Sequence, residues 1–393
     1  MSRLAHPSEH PAANLRARNR PAPNRPAPNR PAPNESDGFS AQRTPESALS
    51  GPKPEKLRRI GSGRRPAVGL LAAAVLLVLV IIASLVVGAR DVPFGTVLDA
   101  LFRPDPAVTD QLVVLDLRIP RTVVGLLAGL ALGLAGALMQ GVTRNPLADP
   151  GLLGVNAGAS LFVVAGIAVF GVTSALGYVW FAFVGAAVAA SVVYIIGSLG
   201  RGGATPVKLT LAGTALTAAL TSLITIVLLS DPSTFDRYRF WSAGSLSARG
   251  LDTALQLAPF ILVGAILAAT AGRMLNALAL GDDLARGLGQ NVVAARIVCF
   301  VAVVLLCGSA TALAGPIVFV GLAVPHLARW FAGPDYRWTL ALSALLGPAL
   351  LLLADVIGRV IARPGEIEAG LVVAFLGAPV LIALVRGTKA VGL

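Results

Sequence analysis

The chain has 393 residues, of which 55% are hydrophobic and 13% are charged, and its mean hydropathy is +0.76. Because soluble domains carry about 25% charged residues, this composition excludes an ordinary soluble protein and predicts an all-α polytopic membrane protein. The net charge of +12 would suit nucleic acid, but residues 1–65 concentrate 13 Lys/Arg against five Asp/Glu. No folded or aromatic reading motif accompanies that charge, so we expect no nucleic-acid partner.

Residues 1–65 form the first predicted region, a disordered cytoplasmic tail. They contain three consecutive Arg-Pro-Ala-Pro-Asn units between Arg20 and Asn34. Proline at this density favours extended chain and leaves nothing to bury in a core. A dispensable solvated extension and a tether that contacts anionic lipid both fit; we favour the extension.

Residues 66–393 form the second region, a transmembrane domain. Its apolar runs predict ten spans. They are 67–89, 120–142, 151–171, 177–199, 208–230, 252–272, 294–313, 315–331, 338–361 and 367–385. The basic residues before the first span place the N-terminus in the cytoplasm, and an even number of spans returns the C-terminus there.

The segment from Asn145 to Gly151 interrupts the chain between the second and third spans. Two prolines and a glycine force the break, and Asn145 and Asp149 can cap the freed backbone groups. Either an ordinary tight turn or irregular backbone beside protein or a water-filled cavity fits this pattern. A second segment of this character runs from Gly315 to Arg329 and contains Pro316 and Pro325.

The stretch 280–291, between the sixth and seventh spans, predicts a short cytoplasmic helix. Asp282 suits its N-cap and Gly287 or Gly289 its end, while Leu284 and Leu288 share one face. A helix this short needs a surface to pack against. That surface is either a partner protein or the chain's own helix ends.

Three arginines stand near predicted outer ends of spans. Arg118 and Arg121 flank the second span and Arg359 lies in the ninth, where Asp355 is one helical turn away. Snorkelling of the side chains to the membrane surface would account for them. The sequence has no P-loop and no metal or catalytic signature, so we expect no enzyme activity. Carboxylates are scarce in the spans, which disfavours an ion-coupled secondary transporter.

Four stretches in register, covering about 66–393, resemble the FecCD family, the permeases of type II importers for iron–siderophores, haem and vitamin B12. They are LRIPRTVVGLLAGLALGLAGALMQGVTRNPLADPGLLGVNAGAS at 117–160, ALGDDLARGLGQNV at 279–292, GPIVFVGLAVPHLAR at 315–329, and ADVIGRVIARPGEIEAGLVVAFLGAPVLIALVRG at 354–387. The resemblance implies ten helices per subunit. It also implies a second permease subunit, two cytoplasmic ATPase subunits and an extracytoplasmic binding protein.

The resemblance also implies roles for particular residues. Arg118, Arg121 and Arg359 match outward-facing arginines that receive glutamates of the binding protein. The other matched residues belong to the ATPase-coupling helix and to the gate. For coupling these are Asp282, Asp283, Leu284, Ala285, Arg286, Gly287, Leu288 and Gly289; for the gate and helix breaks they are Asn145, Pro146, Leu147, Asp149, Pro150, Pro316 and Pro325.

The expected function is therefore import of ferric siderophores through a cell membrane. ATP and Mg²⁺ are expected on the partner ATPase, with no cofactor or metal on this chain. Vitamin B12 or haem remains the alternative within the family, although the loop 205–207 lacks the small hydroxyl pair of the vitamin B12 permease. Alternatives of other classes are an ion-coupled transporter and an accessory membrane protein.

Overall fold

The computed structural model describes residues 64–200, 205–247 and 250–388. Most of this part is α-helical, and it contains no β-strand. The prediction of a disordered tail lies almost wholly outside the described residues. The first helix already begins at Arg64.

Helices account for nearly every long apolar run of the described residues. In chain order they are α1 Arg64–Val86, α2 Phe94–Phe102, α3 Thr109–Leu112, α4 Ile119–Thr143, α5 Val155–Ala168, α6 Ala175–Ser198, α7 Pro206–Ser230, α8 Pro232–Ser242, α9 Leu251–Ala279, α10 Asp282–Gly287, α11 Val292–Ala314, α12 Val320–Ala332, α13 Tyr336–Ile361 and α14 Ala369–Thr388. The four helices α2, α3, α8 and α10 are short. The other ten lie at the ten predicted spans, which confirms the all-α polytopic fold.

Seven segments of the described residues are long and apolar enough to cross a membrane. They are Arg65–Val86, Thr109–Thr143, Leu176–Ser198, Val207–Ser230, Leu251–Ala279, Val292–Ala314 and Tyr336–Ile361. By contrast, α5 has 14 residues and α12 has 13. At about 1.5 Å per residue each is near 20 Å long, shorter than the roughly 30 Å of a hydrocarbon core.

The predictions of full spans over 151–171 and 315–331 were therefore wrong about where those helices begin. Residues 150–153 instead form a 3₁₀ turn, and residues 315–318 are not helical. In both cases the residue just before the helix is left-handed, Gly154 with φ of 72° and Phe319 with φ of 69°, so the helix cannot begin earlier.

The centre of the bundle is α4, which packs against α9, α11, α12 and α13. A Cβ on Gly129 would lie 2.5 Å from Cα of Pro348, and one on Gly133 would lie 2.5 Å from the carbonyl oxygen of Ser343. A Cβ on Gly136 would overlap the carbonyl of Gly321. Glycines three or four residues apart on α4 thus let its backbone approach α12 and α13 closely.

The two ends of the bundle differ in what they carry. We call the end where α4 begins the arginine end, because Arg118, Arg121 and Arg359 lie there. We call the opposite end, where α4 finishes and α10 packs beside α9 and α11, the α10 end.

Candidate functional site

An ion-pair cluster lies inside the arginine end. Asp355 Oδ1 accepts hydrogen bonds from Nη2 of Arg121 at 2.8 Å and from its Nε at 3.0 Å, and Asp355 Oδ2 lies 3.0 Å from Nη2 of Arg359. The predicted pairing of Asp355 with Arg359 is thus confirmed. Asp355 is 0% exposed, Arg121 7% and Arg359 2%. Charges this deeply buried are tolerated only when paired, so the cluster is one electrostatic unit.

At the arginine end, two arginines cap the C-terminus of α1. Nη1 of Arg118 donates to the carbonyls of Leu85 and Val86, each at 2.6 Å, and Nη2 donates to the carbonyl of Arg90. Nη1 of Arg359 donates to the carbonyls of Ser84 and Val87, both at 3.0 Å. The last carbonyls of a helix have no partner within it and carry partial negative charge, which cations satisfy.

The alternative that these arginines snorkel to the membrane surface is therefore wrong, since each is 7% exposed or less. Their guanidinium groups turn inward because the carbonyls of α1 and the carboxylate of Asp355 hold them. Whether they contact a binding protein stays a prediction.

A cavity of about 370 Å³ opens onto the cluster, lined among others by Arg118, Arg121, Arg359 and Glu366. The Glu366 side chain is 35% exposed, and its Oε2 accepts from Nη1 of Arg121 at 2.6 Å. Nε of Arg359 is buried, with no hydrogen-bond partner among the described residues. The cavity therefore meets the cluster on the side where Glu366 lies.

The first helix break behaves as its sequence predicts. Arg144 ends α4 in the left-handed conformation, with φ of 51°. Oδ1 of Asn145 accepts from the backbone N–H of Leu147 at 2.9 Å, and Oδ1 of Asp149 accepts from that of Gly151 at 2.8 Å. The two side chains thus cap the freed backbone, which confirms that prediction. Pro146 lies in the turn between them, and Pro150 opens the 3₁₀ turn.

The second break packs directly on the first. Residues Gly315 to Val318, which include Pro316, are not helical, and Phe319 takes a left-handed conformation with φ of 69°. A Cβ on Gly321 would lie 2.9 Å from Cδ of Pro150 and 3.4 Å from Oδ2 of Asp149. Two interruptions that are 170 residues apart in the chain thus touch inside the bundle, which the sequence did not reveal. Irregular backbone of this kind is tolerated at membrane depth where protein surrounds it.

Gln140 contacts both breaks, and sequence reasoning missed it. Its backbone carbonyl accepts from the N–H of Asn145 at 3.3 Å. Pro325 lies within α12 and has no N–H to give to the carbonyl of Gly321, four residues earlier. Nε2 of Gln140 donates to that carbonyl at 3.2 Å, while Oε1 of Gln140 accepts from Nη2 of Arg329 at 2.6 Å. The freed carbonyl is the signal that could have pointed to a buried amide.

At the α10 end, the short helix presents the two predicted leucines to the outside. Leu284 is 63% exposed and Leu288 is 68% exposed, whereas Ala285 is fully buried against the bundle. The helix ends at Gly287, and Gly289 turns the chain with φ of 79°. The predicted apolar face and helix end are confirmed.

The prediction that Asp282 caps α10 was wrong. Gly281 is the N-cap and no side chain caps the helix. Asp282 instead accepts from Arg144, at the end of α4, and from Nη2 of Arg296 in α11 at 2.9 Å. Burial alone would raise the pKa of Asp282, but the two guanidinium groups hold that pKa below its usual value. Asp283 pairs only with Arg286 of its own turn, at 3.1 Å, among the residues that the structure describes.

The model of the FecCD transport family matches residues 76–387. The chain belongs to the FecCD transport family. Among curated proteins it is similar to the ferric enterobactin transport system permease protein FepD of Escherichia coli (strain K12). The two are 52% identical over 320 residues, which cover 80% of this chain and 95% of FepD.

Two further matches agree with this family. The iron(3+)-hydroxamate import system permease protein FhuB of Bacillus subtilis (strain 168) is 41% identical over 317 residues, covering 81% of this chain and 82% of FhuB. A solved structure of a metal-chelate type ABC transporter in an inward-facing conformation matches with a TM-score of 0.71. The two sequences are 24% identical, and the match covers 82% of this chain and 99% of the transporter chain. This second match supports the fold alone.

Proposed function

We propose that this chain is a permease subunit of an ATP-binding-cassette importer that carries ferric siderophore complexes into the cytoplasm. The relatives FepD and FhuB are named as permeases for ferric enterobactin and iron(3+)-hydroxamate. The structural observation that carries the proposal is the anchored α10 with its exposed leucine pair, because an importer permease needs a surface on which a separate ATPase can act.

The leucine pair of α10 is the contact proposed for the ATPase subunit. Two adjacent exposed leucines at the end of a bundle favour burial against another protein. Asp282 fixes α10 to both α4 and α11, so a displacement of the helix would pull on two helices at once. ATP and Mg²⁺ would be held by that partner, with no cofactor on this chain.

The arginine end is the proposed docking surface for an extracytoplasmic binding protein. Glu366 already supplies Arg121 with an exposed carboxylate. A glutamate of the binding protein would take the place of Glu366, and Arg121 would remain paired throughout the exchange. Such an exchange avoids leaving a buried charge without a partner, which is costly.

The same assignment gives an orientation in the cell membrane. The arginine end would face outward, and the α10 end and both chain termini would face the cytoplasm, in agreement with the basic residues 58–65 before α1. The two helix breaks around Asp149 and Gly321 would form the gate. A second permease subunit, either another copy or a paralogue, would complete the pathway.

Iron uptake tests the proposal. Cells with and without this gene are given labelled iron on a panel of ferric siderophores, with labelled vitamin B12 and haem in parallel. Loss of uptake of one siderophore supports the proposal and names the substrate. Loss of vitamin B12 or haem uptake alone would keep the transporter class and overturn the substrate.

Energy coupling is tested separately in vesicles that contain the purified complex. Uptake that follows ATP hydrolysis and continues without a proton or sodium gradient supports the ATP-driven importer. Uptake that follows an ion gradient without ATP would favour a secondary transporter instead. A double variant with glutamate at Leu284 and Leu288 should lose ATP-driven uptake, whereas Leu199→Glu, which changes a leucine at the end of α6, should retain it.

A further inference from the structure

A groove of about 810 Å³ lies on the outside of the bundle between α9 and α13, with α4 beneath it. One end is closed by two arginines, Arg273 and Arg337. The remaining lining is apolar apart from Thr270, whose hydroxyl donates to the carbonyl of Leu267 at 2.8 Å. The apolar lining residues are Leu130, Leu134, Ala265, Ile266, Ala269, Leu340, Ala341 and Ala344.

The packing of α9 on α13 places both arginines on the lining of one groove. A Cβ on Gly272 would lie only 3.1 Å from Cγ of Arg337, and Arg273, the next residue of α9, lines the same groove as Arg337. Both side chains are exposed. Arg273 has no ion-pair partner within the described ranges, and Arg337 pairs with Asp335 of its own helix start at 2.8 Å. The mouth therefore keeps a net positive charge.

The length of the groove matches one leaflet of a bilayer. Arg273 and Ala265 are eight residues apart on α9, or about 12 Å along the helix. Half of the roughly 30 Å hydrocarbon core is about 15 Å. A chain that starts at the arginines and follows the groove would therefore reach close to the bilayer midplane.

We propose that this groove binds an anionic phospholipid of the leaflet at the α10 end. The phosphate lies between Arg273 and Arg337, which donate charge-assisted hydrogen bonds to its oxygens. One acyl chain lies along Ala269 and Ala341. Basic pockets between helices at a membrane surface are suited to such headgroups. The proposal concerns lipid binding and is independent of which substrate the transporter carries.

An exposed helix away from the groove is available to a second permease subunit. The most exposed candidate span is Val207–Ser230 in α7, with 11% of its apolar window buried. It also carries exposed polar side chains at Thr214, Thr221 and Thr225. No residue of α7 lines the groove, so a second permease subunit that covers α7 does not need to cover Arg273 or Arg337.

Native mass spectrometry of the purified full chain tests the proposal, with phosphatidylglycerol or phosphatidylcholine of identical acyl chains added. We expect the wild-type chain to retain phosphatidylglycerol in preference. Arg273→Gln and Arg337→Gln should each weaken that binding about fivefold, since one arginine near an anionic headgroup contributes about 1 kcal/mol. Lys208→Gln removes one positive charge at the same end, on α7, and should leave it unchanged. Equal loss in Lys208→Gln, or equal retention of both lipids, would overturn the proposal.

Two further variants test the acyl part of the groove. Ala269→Phe fills the groove without removing charge and should weaken phosphatidylglycerol binding. Unchanged binding by this variant would overturn the proposed position of the acyl chain. Ala269→Cys introduces an accessible thiol, because the native Cys299 and Cys307 are buried. Labelling of this thiol by a thiol-reactive phosphatidylglycerol in membranes supports lipid occupancy. Crosslinking to a second permease subunit would show instead that the groove is a protein interface.

Discussion

Replacing Asp355 with asparagine isolates the energetic role of the cluster at the arginine end. The side chain is 0% exposed and serves two guanidinium groups at 2.8 and 3.0 Å. Breaking a buried ion pair by removing one partner costs about 3–5 kcal/mol. In the variant Arg121 retains Glu366, whereas Arg359 keeps only neutral partners. We therefore expect the free energy of unfolding to fall by about 3 kcal/mol, at the low end of that range.

The assay is unfolding of the purified protein in a denaturing-detergent titration, followed by circular dichroism. Asp91→Asn is the matched control, because Asp91 also pairs with an arginine, Arg363 at 2.9 Å, but is 82% exposed. Exposed pairs contribute about 0–1 kcal/mol. Equal losses in the two variants would refute the reasoning, since burial is the difference between them.

Three other substitutions probe the bundle, the helix breaks and the α10 end. Gly136→Ala should destabilise the protein by about 1–3 kcal/mol in the same titration, because its methyl group would overlap the backbone of α12. Gln140→Leu should cost about 1–3 kcal/mol by leaving the carbonyl freed by Pro325 without a donor. Glutamate at both Leu284 and Leu288 should change stability by less than about 0.5 kcal/mol, since both are exposed, yet abolish co-purification of the ATPase.

A specific outcome would contradict each of these three predictions. Gly95→Ala is the control for Gly136, because nothing lies within 4 Å of a Cβ at Gly95, and equal stability of the two variants would remove the close-packing argument. Wild-type stability of Gln140→Leu would show that the freed carbonyl needs no donor. Retention of the ATPase by the double leucine variant at normal stability would exclude α10 as its contact.

The sequence predicts the helices well because apolar runs are local. Ten runs gave ten helices, and the Asn145 and Asp149 caps followed from neighbouring prolines. The predictions that failed concern contacts with residues far away in the sequence. Arg118 and Arg359 are buried because they cap the last carbonyls of α1, which lie 33 and 275 residues earlier in the chain, and no local pattern shows those contacts. The delayed start of α12 at Val320 likewise depends on Phe319 and on packing against Pro150.

The last turn of α4 connects α10 to the two helix breaks. Arg144 pairs with Asp282 of α10, and Gln140, one helical turn earlier, holds the carbonyl of Gly321 at the second break. Arg144 and Gln140 are therefore four residues apart. One contacts α10, and the other contacts the place, among the described residues, where two helix breaks touch. A movement of α10 that displaced the end of α4 would act on this junction first. Double-mutant cycles between Asp282 and Gln140 measure that coupling, and strictly additive effects on ATP-driven uptake would exclude it.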